Sequence, residues 1–204
     1  MCSRPTLLLS LGKEPRKKWG TLMPSALLEL KLTLVGVKPP VWRQLLVTNQ
    51  ISLKRLHDML QVVAGWDDRH LHEFVIDKQR YGPPAPHEVV PVENEALFRL
   101  HSLPLKDDTT FSYVYDFGDH WEIDVKVERI RPLDSKEVSP RVLDGARSFP
   151  PEDSGGPGVY EDLLEALADP RHPEHEEYRD WVGESFDPEH FDLAETNELL
   201  GQFA

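Results

Sequence analysis

Residues 111–127 alternate more strictly than any other stretch of the chain, and they constrain its fold most. Phe111, Tyr113, Tyr115 and Phe117 share one parity; after Gly118-Asp119, so do Trp121, Ile123, Val125 and Val127, set against His120, Glu122, Asp124 and Lys126. Successive side chains of a strand point to opposite faces, so this pattern predicts two amphipathic strands. Gly118-Asp119 suits a two-residue turn between them, with glycine supplying a positive φ. A lone hairpin cannot bury such an aromatic face and needs further strands and a covering layer.

The neighbouring segments supply both. Leu28, Leu30, Leu32 and Leu34 alternate with Glu29, Lys31 and Thr33 as a half-buried strand, and Gly36 to Pro40 make a stiff turn into a second strand near 41–48. Ser52 is a good helix cap. Leu53, Leu56, Leu60 and Val63 recur at helical spacing until Gly65. A third strand is predicted over 70–77 and a loop over Tyr81 to Pro86. After the proline- and glycine-rich stretch 148–158, helices are predicted near 159–168, 174–182 and 192–202, the last starting at Asp192 with Glu195 three residues on. Strands early and helices late indicate an α+β fold: an antiparallel sheet with a helix after its second strand and a C-terminal group of helices packed on it. Residues 1–26 read as an irregular basic leader and 27–202 as one domain, sheet-rich over 27–131 and carrying a loop and acidic helices over 140–202.

Charge narrows the function. The net charge of −13 is unevenly spread: residues 151–204 hold 16 acidic and two basic residues, while the first 150 are nearly neutral. A strongly acidic face repels a phosphate backbone, so nucleic acid is an unfavourable partner there. No apolar run reaches the length of a membrane span, and Cys2 is the sole cysteine, which removes disulfide frameworks and cysteine-rich zinc sites. A cytoplasmic protein is expected.

Five segments together resemble one family: LKLTLVGVKPPVWRQLLV (30–47), LHDMLQVVAGWDDRHLHEF (56–74), YVYDFGDHWEIDV (113–125), PPEDSGGPGVYEDLLEALADPRHPEHEEY (150–178) and FDPEHFD (186–192). In this order they resemble the plasmid pRiA4b ORF-3-like proteins, relatives of which are sometimes labelled insertion-sequence passenger TnpR proteins. The resemblance implies an α+β fold in a plasmid or mobile-element setting and no established activity. Relatives often carry cysteines around the PPED loop, where this chain has Val142, Phe149 and Ser154, so a thiolate-dependent role has no ligand at those positions. A serine resolvase needs a nucleophilic serine among clustered arginines with a basic DNA-binding module, and no such arrangement is evident.

Three constellations can carry chemistry. In GWDDRHLHEF (65–74), His70 and His72 on one face of a strand would both reach a metal, with Asp67 and Asp68 as oxygen donors; the alternative is a braced turn and histidines satisfied within the sheet. In YDFGDHWE (115–122), Asp116, Asp119 and His120 flank a solvent-facing tip and could join those histidines, or simply form the turn. Trp66 could wall a pocket, as could Trp121, although the parity of Trp121 favours the core. In PPEDSGG (150–156), two prolines and the pair Gly155-Gly156 would present Glu152 and Asp153 rigidly, either for metal or general-base work or as a structural clasp. The candidate catalytic residues are therefore Asp119, His120, Glu152 and Asp153, the candidate metal ligands His70, His72 and His120, and the cofactor in view a divalent metal. Without a complete catalytic set, the sequence favours a non-catalytic binding module for a protein or peptide. A metal-dependent hydrolase or nuclease built on these loops comes second, and nucleic-acid binding without catalysis third.

Overall fold

The computed structural model describes residues 25–84, 91–133, 137 and 139–204; the leader, up to residue 24, lies outside them. Eight strands form one sheet: β1 (Ala26–Leu34), β2 (Trp42–Thr48), β3 (His72–Ile76), β4 (Gln79–Gly82), β5 (Glu93–Asn94), β6 (Thr110–Tyr115), β7 (Trp121–Pro132) and β8 (Arg141–Ala146). Their order is β5-β4-β3-β6-β7-β1-β2-β8, and all neighbours are antiparallel except the short β4–β5 pair. Among the described residues, four α-helices complete an α+β architecture: α1 (Leu53–Ala64), α2 (Gly156–Ala168), α3 (His175–Val182) and α4 (Leu193–Leu200).

The patterned segments behave as expected. Leu28, Leu30, Leu32 and Leu34 are buried, as are Trp121, Ile123, Val125 and Val127. Ser52 caps α1 by accepting from the Arg55 N–H, and Gly65 ends the helix in the left-handed conformation. Asp192 caps α4 through the amides of Ala194 and Glu195. Helix α1 covers Tyr113, whose hydroxyl meets His57 and Gln61, and α2 sets Tyr160 edge-on to Trp121. Tyr115 lies opposite Trp121 in the β6–β7 register, so α1 and α2 lie on the same face of the sheet.

Several expectations need correction. The hairpin turn has five residues, 116–120, because Tyr115 pairs with Trp121; the positive φ values fall on Asp116 and His120, not on Gly118. That break in parity turns Phe117 away from the core, leaving it 44% exposed. His70 precedes β3 instead of lying on it, and Tyr81-Gly82 belong to β4 instead of the predicted loop. Strand β8 and the 79–82 and 93–94 strands carry too little alternation to be read, and α2 starts at Gly156, inside the stretch read as loop. Strand β8 gains from its neighbours what its sequence lacks: α4 presents Asn197, whose amide bonds both the N–H and the C=O of Val142 and covers that edge.

Candidate functional site

Three loops meet where β3 begins and β6 ends, and aromatic packing brings them together. Gly65 turns the chain out of α1, and the Trp66 indole stacks on Tyr115 (4.8 Å between centroids, 17° between planes) with its edge against Phe149. The Trp66 Nε1–H donates to the Pro150 carbonyl at 2.9 Å, tying the 65–71 loop to the PPED loop. The hairpin tip is tied in by Asp119, whose Oδ2 accepts from the Gly155 N–H at 2.8 Å. Gly155 and Gly156 both hold φ of +82°, and a Cβ on Gly156 would lie 2.4 Å from the Asp119 carbonyl oxygen. Asp68, Asp116, His120 and Asp153 also adopt positive φ, so the loops hold backbone conformations that only a dense set of contacts sustains.

The Tyr115 hydroxyl is the hub. It accepts from the backbone N–H of Arg69 (2.9 Å) and of His70 (3.3 Å), and donates to Glu152 (2.9 Å to Oε1, 3.2 Å to Oε2). Burial first, and then the bond to Glu152, pushes the phenol well above its ordinary value, so it stays a donor. Glu152 Oε1 also accepts from the Asp67 N–H at 2.7 Å. Glu152 is therefore largely spent on positioning, and it bonds these groups instead of an arginine. Asp67 turns its carboxylate outward to Arg69, 2.5 Å away.

Around this hub lies an outer cluster. His70 Nδ1 is 3.6 Å from Asp116 Oδ2; His70 Nε2 is 3.1 Å from Asp153 Oδ1 and 3.6 Å from Glu152 Oε2. His70 Nε2 is buried yet makes no hydrogen bond, because the nearby oxygens are not aligned with it. One ligand atom each from His70, Asp116 and Asp153 lie within 4.8 Å of one another. Asp116 is held in place by the Gly118 N–H on its Oδ1, while Asp153, 61% exposed at its side chain, opens the cluster to solvent.

An inner cluster sits beneath α1. His57 and His72 stack in parallel with centroids 3.5 Å apart, and His72 Nε2 meets the buried Glu95 at 2.9 Å. Burial pushes the His57 imidazole down to about 3, so it is neutral. Its bonds then close a ring. Gln61 donates to the Tyr113 hydroxyl, which donates to His57 Nδ1. The His57 Nε2–H donates to Asp68 Oδ1, and the Asp68 N–H returns to Gln61 Oε1. His57, Asp68 and His72 also satisfy metal-ligand spacing, but both nitrogens of His57 are used within this network.

The two histidines expected to share a metal are thus divided, His70 in the outer cluster and His72 in the inner one. His120 is exposed and in neither ligand cluster among the described residues; Trp121 is core, against Tyr160. Asp119 is a clasp and Asp68 a network member. Asp116, Glu152 and Asp153 do converge on a histidine. Tyr115, Tyr113, Gln61 and Glu95 were not foreseen; His57 and Gln61, four apart on α1, were the one available hint, a polar pair facing the same way as the apolar stripe.

Comparison with known proteins agrees with this architecture. A protein of Sinorhizobium fredii (strain NBRC 101917 / NGR234), named Uncharacterized protein y4hQ, is 36% identical over 184 residues, covering 89% of this chain and 94% of the relative. The crystal structure of a protein of unknown function, MM3350 from Methanosarcina mazei Go1, superposes with a TM-score of 0.77 at 35% identity, covering 85% of this chain and 98% of the other. Residues 26–195 match the family described as Plasmid pRiA4b ORF-3-like protein, and the chain belongs to that family.

Proposed function

We propose that the outer cluster holds one divalent metal ion and that the protein is a metal-dependent hydrolase. The observation that carries this reading is the unbonded, buried Nε2 of His70 beside Glu152 and Asp153, with Asp116 of a second loop on the other side of the same ring. An imidazole with carboxylate oxygens suits zinc, manganese or iron. Three protein donors leave coordination positions for water, the arrangement of a catalytic rather than a structural site. A metal lowers the pKa of such a water toward neutrality. Held by His70, Asp116 and Asp153, such an ion would supply an activated water for hydrolysis at a carbonyl carbon. Asp153 would serve as a ligand, and the proton released by the water would reach the leaving group through solvent at the open edge of the cluster. Glu152 and Tyr115 position the loops, a different role from the general base that spacing alone suggested for Glu152. The acidic C-terminal quarter disfavours polyanionic substrates, and with them a nuclease.

Native mass spectrometry tests the metal. Chelator-treated protein loaded with zinc or manganese is expected to take up one ion per chain. His70→Ala or Asp153→Asn should weaken uptake by at least about tenfold, while His120→Ala leaves it unchanged. A chain that takes up neither ion, or a His70→Ala variant that binds as the wild type does, would overturn the reading. Metal-loaded protein that hydrolyses neither chromogenic esters nor amides would return the centre to ligand binding.

A further inference from the structure

Helix α3 has no fully buried residue; it lies against α2, and its Tyr178 and Val182 are half-buried. Between the two helices lies a groove of about 280 Å³, lined by Asp153, Gly155, Val159, Leu163, Glu177, Tyr178 and Trp181. Trp181 is 49% exposed and Val159 43%, so two large apolar side chains from neighbouring helices face solvent along one channel. Asp153, the solvent-facing member of the outer cluster, also lines this groove.

The charge around it is predominantly negative. Helix α3 and its approach carry Glu174, Glu176, Glu177 and Asp180 against Arg179, within a quarter of the chain that holds 16 acidic and two basic residues. The Tyr178 phenol is pushed up by burial and by Glu174, Asp162 and Glu177, the direction a negative potential imposes. An anionic occupant is repelled. An uncharged apolar one uses the indole but leaves Glu177 beside its apolar body. A lysine or arginine side chain satisfies both, its stem on Val159 and Leu163 and its head over the Trp181 or Tyr178 ring beside Glu177.

We propose that the α2–α3 groove binds a basic peptide segment and leads it to Asp153. The proposal builds on the metal reading only for what happens at that end; capture of the peptide needs α2 and α3 alone. Titration calorimetry of the full chain with acetyl-(Lys-Leu)4-amide, and with its Glu-Leu counterpart, tests it on chelator-treated and on zinc-loaded protein. The lysine peptide is expected to bind at least about tenfold tighter than the glutamate peptide, with or without zinc. Trp181→Ala and Glu177→Lys should each weaken it about fivefold. Glu198→Lys, the same charge change on α4 outside the groove, should shift it less than about twofold. Equal weakening by Glu177→Lys and Glu198→Lys would reduce the effect to the general field of the molecule and overturn the groove. So would a wild-type affinity in Trp181→Ala, or no preference between the peptides. A protein that takes up no zinc yet discriminates the peptides would refute the metal centre and leave the groove standing.

Discussion

Acidification from pH 6.5 to pH 4 is expected to remove about 3 kcal/mol of folding free energy through His57 alone. The side chain is fully buried, and burial is the main reason its pKa falls to about 3, with His72 and Lys54 lowering it further and Asp58 opposing them. In the unfolded chain the same imidazole titrates near 6.5. Between those values the unfolded chain takes up a proton that the folded chain refuses. Stability is therefore complete above about pH 6.5, falls as pH falls, and levels only below about 3, with a slope approaching 1.4 kcal/mol per pH unit. The closed ring explains why the folded state refuses the proton: Nδ1 accepts from Tyr113, so protonation there breaks the bond that orients both rings. Urea unfolding of chelator-treated protein at a series of pH values measures this. Other groups titrate in the same range, so the decisive quantity is the difference from His57→Gln, which lowers stability at pH 7 but loses this slope. Parallel curves for the two proteins would refute it.

The ring also shows where sequence reading ends. Strands β1, β6 and β7 and helix α1 announce themselves, because each buries a regular stripe whose period is a property of the backbone. Strand β8 and the edge strands do not, since their place is set by pairing with neighbours already in the sheet and, for β8, by Asn197. The site was half legible for a related reason. Aspartates, histidines and a proline–glycine loop mark where chemistry can be held, and Asp116, Glu152 and Asp153 do meet a histidine. Which histidine depends on where β3 starts. A strand from residue 70 puts His70 and His72 together, whereas the actual start at residue 72 sends one to the loops and the other to Glu95, 23 residues away. Tyr115 illustrates the same limit from the other side: its parity marks it as core, and its ring is core, but its hydroxyl organises the surface.

The joint between the hairpin tip and the PPED loop is where a single methyl group should do most harm. Gly156→Ala is expected to cost about 2–4 kcal/mol, the sum of left-handed strain on a non-glycine residue and a clash that neighbours cannot relieve. The obstructing atom is the Asp119 backbone carbonyl, 2.4 Å from the added Cβ, and Asp119 is itself fixed by its bond to the Gly155 N–H. Relief requires the two loops to part, which carries Asp153 away from Asp116 and His70. Metal uptake should therefore fall even at temperatures where the variant remains folded. Gly158→Ala supplies the contrast two residues on: its Cβ meets nothing within 4 Å on an exposed turn of α2, and removing backbone freedom there should raise stability by about 0.5–1 kcal/mol with metal uptake unchanged. Thermal unfolding together with metal titration separates the possibilities. If Gly156→Ala loses stability but keeps its metal affinity, the clasp serves folding alone, and the cluster is held by Trp66 and Tyr115 without it. If both variants behave alike, the close approach at Asp119 constrains nothing.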